Sequence, residues 1–425
     1  MGRGKVHVIV GGQWGSEAKG LACEYFAKTR KYAAAVRTGA INAGHTVYNK
    51  GRAYAMCQLP VAWVNKDITL VVGGGAYIEE EVMKKEIEWI KEAQSEAVLA
   101  HRIVVDKRAY SHLHAFADKE QGMHERMGST AHGVGEAIID KIGRKSTGNL
   151  FRESEYAKSK NNIDFLLADT QALLSAFLET GQDVMVEGTQ GTLLDFHYGI
   201  EYPYCTSRQT IASAWLAEAG LPPKNVEVTM VVRAMPIRVA GNSGPLPGET
   251  DWYSLVKATN EKLMEVGKEP IVSPDLLELF HATELKVAQE MGLPGLPHEV
   301  VDPALRAQFS TELSSFHSTV LSRFTAEEIA ELKKMIELTT VTKKVRRIAE
   351  IDADSLVYAS TLNAPDNIFL NFLNYVFPEI WGVTSWDEVD KDTMLRVKSY
   401  INSISQMADA PVKWVSTGPQ SVLEV

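Results

Sequence analysis

Three glycines and a lysine with the spacing of an anion-binding loop lie near the N-terminus. They follow residues 6–10, an apolar run typical of a buried strand, and occupy positions Gly11, Gly12, Gly15 and Lys19. Glycines let backbone N–H groups turn toward an anion, a helix N-terminus favours negative charge, and the lysine adds a point charge. The stretch therefore predicts a site for a nucleoside triphosphate, although the standard Gly-x-x-x-x-Gly-Lys-Ser/Thr loop is absent.

The rest of the chain must supply the elements that position this loop. Apolar runs predict strands at residues 32–36, 68–72, 103–105, 184–186, 226–234, 368–370 and 412–415. Apolar residues recur at helical spacing in residues 79–94, which predicts a helix there. We also expect a helix over residues 164–180. Alternating strands and helices indicate a mainly parallel sheet that is covered on both faces and binds ligands at the carboxyl ends of its strands. We therefore predict an α/β fold with a large, mainly parallel central sheet.

The sequence pattern changes in residues 252–336: strand patterns disappear, and helical blocks are separated by proline and glycine. We interpret this segment as a helical insertion within one domain that spans residues 1–425.

Composition excludes several classes of protein. The chain has 425 residues and a formal net charge of −10, which argues against sequence-independent binding of nucleic acid. Three widely separated cysteines give neither a disulfide framework nor zinc-site spacing. Since no apolar run approaches the roughly 18 residues needed to span a bilayer, we expect a cytoplasmic protein with no membrane association.

Two further segments carry residues that could take part in chemistry or binding. Residues 37–46 contain small residues that predict a tight, exposed turn presenting Asn42 and His45. Residues 340–347 are the most basic stretch of the chain, and together with Thr130 and Arg144 they could bind a second small anion. The alternative is that Arg346 and its neighbour belong only to a solvated run of charges.

Six motifs in order resemble those of the adenylosuccinate synthetase family. They are Gln-Trp-Gly-Ser-Glu-Ala-Lys-Gly at 13–20, Asn-Ala-Gly-His-Thr at 42–46, Gly-Val-Gly at 133–135 with Asp-Lys at 140–141 and Arg144, Glu-Gly-Thr-Gln-Gly-Thr-Leu-Leu-Asp at 187–195, Tyr-Pro-Tyr at 202–204, and Ser-Thr-Gly-Pro at 416–419. The resemblance implies a P-loop-NTPase-like fold and a ligase. Such a ligase phosphorylates the 6-oxygen of a purine nucleotide and then displaces the phosphate with the amino group of L-aspartate.

The resemblance also implies a role for each matching position. The catalytic residues would be Ser16, His45 and Gln190, and the nucleotide substrate would contact Asn42, Ser129, Thr130, Arg144, Gln190, Thr206 and Lys344. Aspartate would contact Thr340, Val341, Thr342 and Arg346. The triphosphate nucleotide would contact Gly15, Ser16, Glu17, Ala18, Lys19, Gly20, Gly44, His45, Thr46, Asn371, Phe372, Asn374, Ser416, Thr417, Gly418 and Pro419. Mg²⁺ would be bound by Ser16 and Gly44, and Arg144 would reach the neighbouring site of a homodimer.

Three departures from the family pattern point to different substrates. Ser16 replaces the aspartate expected as base and magnesium ligand, and Ala18 replaces a glycine. The family reads the guanine of GTP with Thr-Lys-Leu-Asp, whereas this chain has Asn-Phe-Leu-Asn at 371–374. An asparagine both donates and accepts hydrogen bonds, which suits adenine. Lys344 stands where an arginine usually approaches the ribose 2′-hydroxyl, and lysine lacks the bidentate fork.

Together these departures resemble the phage branch of the family. The resemblance implies a ligase that joins dGMP and L-aspartate with ATP or dATP and yields N6-succino-2-amino-2′-deoxyadenylate for 2-aminoadenine DNA. Two alternatives remain at this point. One is an ordinary adenylosuccinate synthetase that uses IMP and GTP, and the other is a catalytically silent nucleotide-binding protein.

Overall fold

The computed structural model describes residues 2–94, 101–111, 116–117, 132–144, 148–159, 163–239, 243–338 and 345–425. Within these ranges the chain forms strands β1 Val6–Gly11, β2 Ala34–Arg37, β3 His45–Asn49, β4 Arg52–Met56, β5 Thr69–Val72, β6 Tyr77–Ile78, β7 Ile103–Asp106, β8 Tyr110–Ser111, β9 Leu166–Ala168, β10 Val184–Glu187, β11 Val226–Arg233, β12 Ile237–Arg238, β13 Glu249–Thr250, β14 Arg347–Ala349, β15 Asn367–Asn371, β16 Val412–Ser416 and β17 Val422–Glu424.

Ten of these strands form one central sheet in the order β17-β16-β15-β11-β1-β10-β2-β5-β7-β9. Neighbouring strands run parallel throughout, except that β17 lies antiparallel to β16 at one edge. β1 lies near the centre of the sheet, and its side chains alternate between the faces: Val6, Val8 and Val10 join one core, while Ile9 joins the other. The predicted parallel sheet with two buried faces is confirmed.

Helices cover both faces of the sheet. The described helices are α1 Lys19–Thr29, α2 Glu80–Gln94, α3 Val134–Gly143, α4 Glu155–Lys158, α5 Thr170–Glu179, α6 Ala212–Ala219, α7 Trp252–Glu265, α8 Pro274–Glu290, α9 Pro303–Gln308, α10 Ser310–Leu321, α11 Ala326–Leu332, α12 Ala353–Asn363 and α13 Lys391–Ala408. Among the described helices, none is long and apolar enough to cross a membrane.

Helices α7–α11 occupy most of the segment predicted to be helical, and they enclose a third core. Phe280, Phe316 and Val320 are fully buried in it. This core also includes Ile348 of β14, which pairs antiparallel with β12 and β13 in a small separate sheet. The helical segment is therefore packed against β14, whose first residue is Arg347, the last residue of the basic stretch.

The helix predicted over residues 164–180 is wrong in its first part. Leu166–Ala168 instead forms the edge strand β9, which pairs with β7. Helix α5 begins only at Thr170, after Asp169 accepts a hydrogen bond from the backbone N–H of Ala172 at 3.4 Å. An aspartate at this position ends the strand and caps the helix, a competing local signal that helical periodicity alone misses.

A substitution of Phe26 tests the packing that holds α1, the helix after the glycine-rich loop, against the sheet. Phe26 is fully buried, and its ring centroid lies 4.8 Å from those of His7 and Trp414. Phe26→Ala should lower the free energy of unfolding by about 4 kcal/mol, measured by urea denaturation, because a cavity remains. The matched control is Phe196→Ala, where the ring is 48% exposed. An equal loss in both variants would contradict this packing.

Candidate active site

The loop after β1 has a tightly constrained backbone. Gly15, Ser16 and Ala18 all have positive φ, at 80°, 60° and 60°. A Cβ atom at Gly11 would lie 2.6 Å from the Gln190 carbonyl oxygen, so only glycine fits there. Because side chains with a Cβ avoid left-handed φ, the conformation at Ser16 and Ala18 must be stabilised by contacts around the loop.

Glu17 supplies most of those contacts from inside the loop. Its fully buried carboxylate accepts hydrogen bonds from the backbone N–H groups of Gln13 at 3.0 Å and Gly15 at 2.8 Å. The second oxygen pairs with Lys19 Nζ at 2.6 Å, and that ammonium also donates to the Gln190 carbonyl. Lys19 is only 2% exposed, so in this structure its charge is directed into the loop, and its contact with a triphosphate stays a prediction.

Ser16 faces two arginines from distant parts of the chain. Arg346 donates to the Ser16 hydroxyl oxygen, and Arg233 Nη1 donates to the Ser16 carbonyl at 3.1 Å. Both arginines also approach Glu337, with Arg233 paired closely and Arg346 Nε at 4.0 Å. Although burial opposes ionisation, the two guanidinium groups hold the pKa of Glu337 below its ordinary value. Ser16 is therefore contacted by two guanidinium groups that share the Glu337 carboxylate. The Arg346 side chain is only 12% exposed, so the interpretation of Arg346 as a solvated charge is wrong.

His45 lies in a buried network at the ends of two neighbouring strands. Its Nδ1 atom is 2.7 Å from Glu187 Oε1, and the same oxygen accepts from Arg37. The other Glu187 oxygen accepts from the Val61 N–H at 2.9 Å. Burial opposes ionisation of this carboxylate, but Arg37 and His45 hold the pKa of Glu187 below its ordinary value. Nδ1 also lies 2.9 Å from Arg37 Nη1, so this ring nitrogen faces both a carboxylate that only accepts and a guanidinium that only donates.

This position contradicts the exposed turn predicted to present His45. The residue begins β3, which pairs with β4 in a hairpin, and it is 7% exposed. Burial first, and then the charge of Arg37, lower the pKa of His45 to about 4. Asn42 does lie in a turn, where it is half-buried.

The ends of β15 and β16 form the region predicted to bind the donor base. Asn371 Nδ2 donates to the Glu17 carbonyl at 2.6 Å, which joins this region to the phosphate loop. The N–H of Phe372 donates to Ser416 Oγ at 2.7 Å, and the ring lies 4.1 Å from the Arg233 guanidinium carbon. Asn374 is 1% exposed, and its Oδ1 has no hydrogen-bond partner among the described residues.

The remaining predicted residues divide into two groups. In the first group, Gly20 lies against the Thr46 carbonyl, the Gln190 carbonyl accepts from Lys19, and the Thr206 N–H donates to the Leu194 carbonyl at 2.8 Å. Gly44 is half-buried, Thr417 and Gly418 are buried after the end of β16, and Pro419 and Arg144 are exposed. The second group lies outside the described residues and comprises Ser129, Thr130, Thr340, Val341, Thr342 and Lys344.

Four charged residues of the site were missed by sequence reasoning. Arg37, Glu187 and Arg233 are the last residues of β2, β10 and β11, and Glu337 precedes the undescribed segment 339–344. A charged residue that ends an apolar strand is the signal that could have identified the first three, because the ends of parallel strands meet at one edge.

Within the described ranges, no group of three His, Cys, Asp or Glu side chains could hold a metal ion. Glu17 already receives two N–H groups and an ammonium. The oxygens at the two predicted positions are a hydroxyl and a carbonyl. Mg²⁺ commonly uses few protein ligands together with substrate phosphates and water, so this neutral oxygen set fits a metal that arrives with a nucleotide.

Comparisons with known proteins identify the family and the fold. The adenylosuccinate synthetase family model matches residues 8–163 and 149–273. The adenylosuccinate synthetase of Methanocaldococcus jannaschii is 28% identical over 418 residues, which cover 97% of this chain and 94% of that protein. The Methanococcus maripaludis enzyme is 34% identical over 265 residues, 61% of this chain and 73% of that protein.

Two solved structures share the fold. One is the succinoaminodeoxyadenylate synthetase of cyanophage S-2L, bound to dGMP and to dATP as an energy donor. It has a TM-score of 0.66 and 23% identity, and the match covers 99% of this chain and 95% of that chain. The other is the fully ligated adenylosuccinate synthetase of Plasmodium falciparum, with a TM-score of 0.64, 18% identity and coverage of 99% and 100%. At these identities the likeness supports the fold.

The buried network around His45 predicts an unusual titration. In protein labelled with ¹³C-histidine, the His45 ring resonance should titrate with a midpoint near pH 4, because protonation would add a charge beside Arg37 in a buried site. The imidazole is then neutral at pH 7 in the ligand-free protein. His45→Gln assigns the resonance by its disappearance. A midpoint within about one unit of the ordinary histidine value of 6.5 would contradict this geometry.

Proposed function

The chain belongs to the adenylosuccinate synthetase family and is a carbon–nitrogen ligase, and from this we propose that it joins L-aspartate to C6 of dGMP. The γ-phosphoryl group of ATP or dATP passes to the guanine 6-oxygen, which releases the nucleoside diphosphate. The amino group of aspartate then forms the bond to C6, and phosphate leaves with the 6-oxygen. The product is N6-succino-2-amino-2′-deoxyadenylate, a precursor for 2-aminoadenine DNA.

Ser16 is the observation that carries the choice of dGMP. It stands where the family resemblance expects an aspartate, and its hydroxyl oxygen accepts a hydrogen bond from Arg346. A serine leaves more room than a carboxylate beside the 2-amino group of guanine. After accepting from Arg346, the hydroxyl keeps one lone pair and one O–H, so it can still hydrogen-bond to a nucleotide. The cyanophage S-2L synthetase with dGMP bound, which shares this fold, supports the proposal.

An adenine donor is supported by the chemistry of Asn374. Its buried Oδ1 lacks a partner among the described residues, and the exocyclic amino group of adenine would supply the missing donor. Guanine presents an acceptor at the same ring position. Since Asn374 is 1% exposed, the 3₁₀ turn Leu373–Tyr375 that carries it must open for the base to enter. Phe372 already has Arg233 on its ring and would stack the base on its remaining surface.

Aspartate and the phosphoryl group carry negative charge, so their binding needs positive charge, which Arg346 and Lys19 would supply. We assign Arg346 to an aspartate carboxylate, together with Thr340, Val341 and Thr342 of the adjoining segment. Lys19 would leave its pairing with Glu17 when a triphosphate offers more negative charge. Mg²⁺, which the family generally uses, would neutralise phosphate charge when bound by Ser16 and Gly44.

His45 has to gain a proton in order to act as the acid over the transferred phosphoryl group. Burial and Arg37 lower the pKa of the imidazole to about 4, so it is neutral at pH 7 in the ligand-free protein. Phosphate groups close to Nε2 would raise the pKa of the imidazole by favouring the charged form. Gln190 would hold the purine beside it. In this proposal Arg144, which is exposed at the end of α3, completes the nucleotide site of the partner subunit in a homodimer.

Ordinary adenylosuccinate synthesis from IMP and GTP is the second candidate. The curated relatives from Methanocaldococcus and Methanococcus are ordinary adenylosuccinate synthetases, and the first aligns over almost the whole chain. Ser16 and Asn374 are the residues that favour the dGMP and ATP reaction over this one.

Turnover assays with Ser16→Asp test the choice of nucleotide. The wild-type protein should have a higher kcat/KM for dGMP than for IMP, and the substitution should lower that ratio by about 100-fold because the larger carboxylate takes the room that serine leaves for the 2-amino group. Ser159→Asp, on an exposed serine, is the matched control. If the wild-type protein prefers IMP, the proposed function is wrong.

Asn374→Asp tests the donor. A carboxylate accepts from both guanine N1–H and its 2-amino group, so the ratio of kcat/KM for ATP over GTP should fall by about 10- to 100-fold. Asn402→Asp, on an exposed asparagine of α13, should leave the ratio unchanged. An unchanged ratio in the Asn374 variant would remove this residue from donor recognition.

A further inference from the structure

We propose that Arg347 and Glu249 are positioning residues that hold the segments framing the nucleotide and aspartate sites, from behind and without touching either substrate. We call these two residues the ion-pair anchor. The inference relies on the proposed function for the identity of the nucleotide only, since the anchor acts on the backbone of the segments rather than on the base.

The anchor is buried and geometrically defined. Arg347 Nε lies 2.6 Å from Glu249 Oε1, and Nη2 lies 2.5 Å from Oε2, so the guanidinium and carboxylate meet as a two-bond fork. Their side chains are 1% and 7% exposed. Arg306 of α9 adds a third bond to Glu249 at 2.7 Å. A buried carboxylate that receives this many donors has one orientation, which makes it a rigid support.

Arg347 carries that rigidity to residues 243–245, where Gly244 packs against the Tyr204 ring, and to its own neighbour Arg346. The Nη1 atom of Arg347 donates to the Gly244 carbonyl and lies 3.4 Å from Ser243 Oγ. These residues directly follow the undescribed residues 240–242. Arg347 also directly follows Arg346, whose guanidinium reaches Ser16. Through Arg347 the anchor is therefore joined to residues 243–245 and to Arg346, the described residue assigned to aspartate.

Arg238, on the neighbouring strand β12, extends the same support to a third segment. It donates to the carbonyls of Pro245 and Tyr204, the latter at 2.9 Å. Tyr204 lies two residues before Thr206, which is assigned to the nucleotide. Burial first, and then Arg347, lower the pKa of Arg238 to about 9. Arg238, Arg306 and Arg347 surround one Glu249, so loss of that carboxylate would leave three cationic groups close together.

The donor region has independent supports. Asn371 is held by the Glu17 carbonyl, and Phe372 by Ser416. Asn371 ends β15 and Ser416 ends β16 of the central sheet, whereas the anchor joins β13 and β14 of the small sheet. Loosening the anchor should therefore weaken binding of nucleotide and aspartate together and leave the donor unaffected. A purely structural role would instead reduce the amount of folded protein without separating the three substrates.

Arg347→Lys and Glu249→Gln test this division in steady-state assays of the full-length protein. Arg347→Lys keeps the charge and loses the fork. In both variants KM for dGMP and KM for aspartate should rise about tenfold, KM for ATP should stay within about twofold, and kcat should change less than the two KM values. Glu249→Asp, which keeps the carboxylate, should lie closer to the wild type than Glu249→Gln.

Arg306→Gln is the matched control, because Arg306 shares Glu249 but donates to Pro297 rather than to a site segment. It should lower the unfolding temperature and leave all three KM values within about twofold. Equal KM changes in the Arg306 and Arg347 variants would overturn the proposal, as would a parallel rise in KM for ATP. If IMP proves to be the substrate, the proposed function fails, and the same division is then measured with IMP.

Discussion

The carboxylate of Glu17 is the interaction on which the site depends. It is completely buried inside the loop whose shape it maintains, and it accepts from Gln13, Gly15 and Lys19. Removing one partner from such a buried charge leaves the other uncompensated, which is far more costly than the pair itself is stabilising. Because its own backbone carbonyl is bound by Asn371, Glu17 also fixes the distance between the phosphate loop and the end of β15.

Around this loop, the central sheet brings charged residues together by geometry. Strands β2, β10 and β11 end in Arg37, Glu187 and Arg233, and β1 between them ends in the loop. Parallel strands deliver all these ends to one edge. Each charge is buried and each has an opposite partner, Glu187 for Arg37 and Glu337 for Arg233. The candidate site is thus a layer of paired charges at one edge of an apolar sheet.

Local features of this arrangement could be predicted from sequence, and long-range ones could not. The apolar run before Gly11 and the glycine spacing identify β1 and its loop because neighbouring residues carry the signal. The burial of His45 depends on Glu187, which lies 142 positions away, and no local pattern reports such a pairing. The contact between Ser16 and Arg346 spans 330 positions, so sequence motifs indicated that both residues matter without indicating that they meet.

Arg233 has a consequence for how selectivity can change in evolution. A single guanidinium contacts the Ser16 carbonyl, the Glu337 carboxylate and the ring of Phe372. The residues assigned to the acceptor and to the donor purine therefore share one side chain. In the proposed function, a mutation that moves this guanidinium and changes the selectivity for one purine would also change the selectivity for the other. The effects of mutations on the two preferences would therefore be epistatic. A lineage that exchanged both substrates would have had to change both ends of the site in concert, or pass through an intermediate suited to neither.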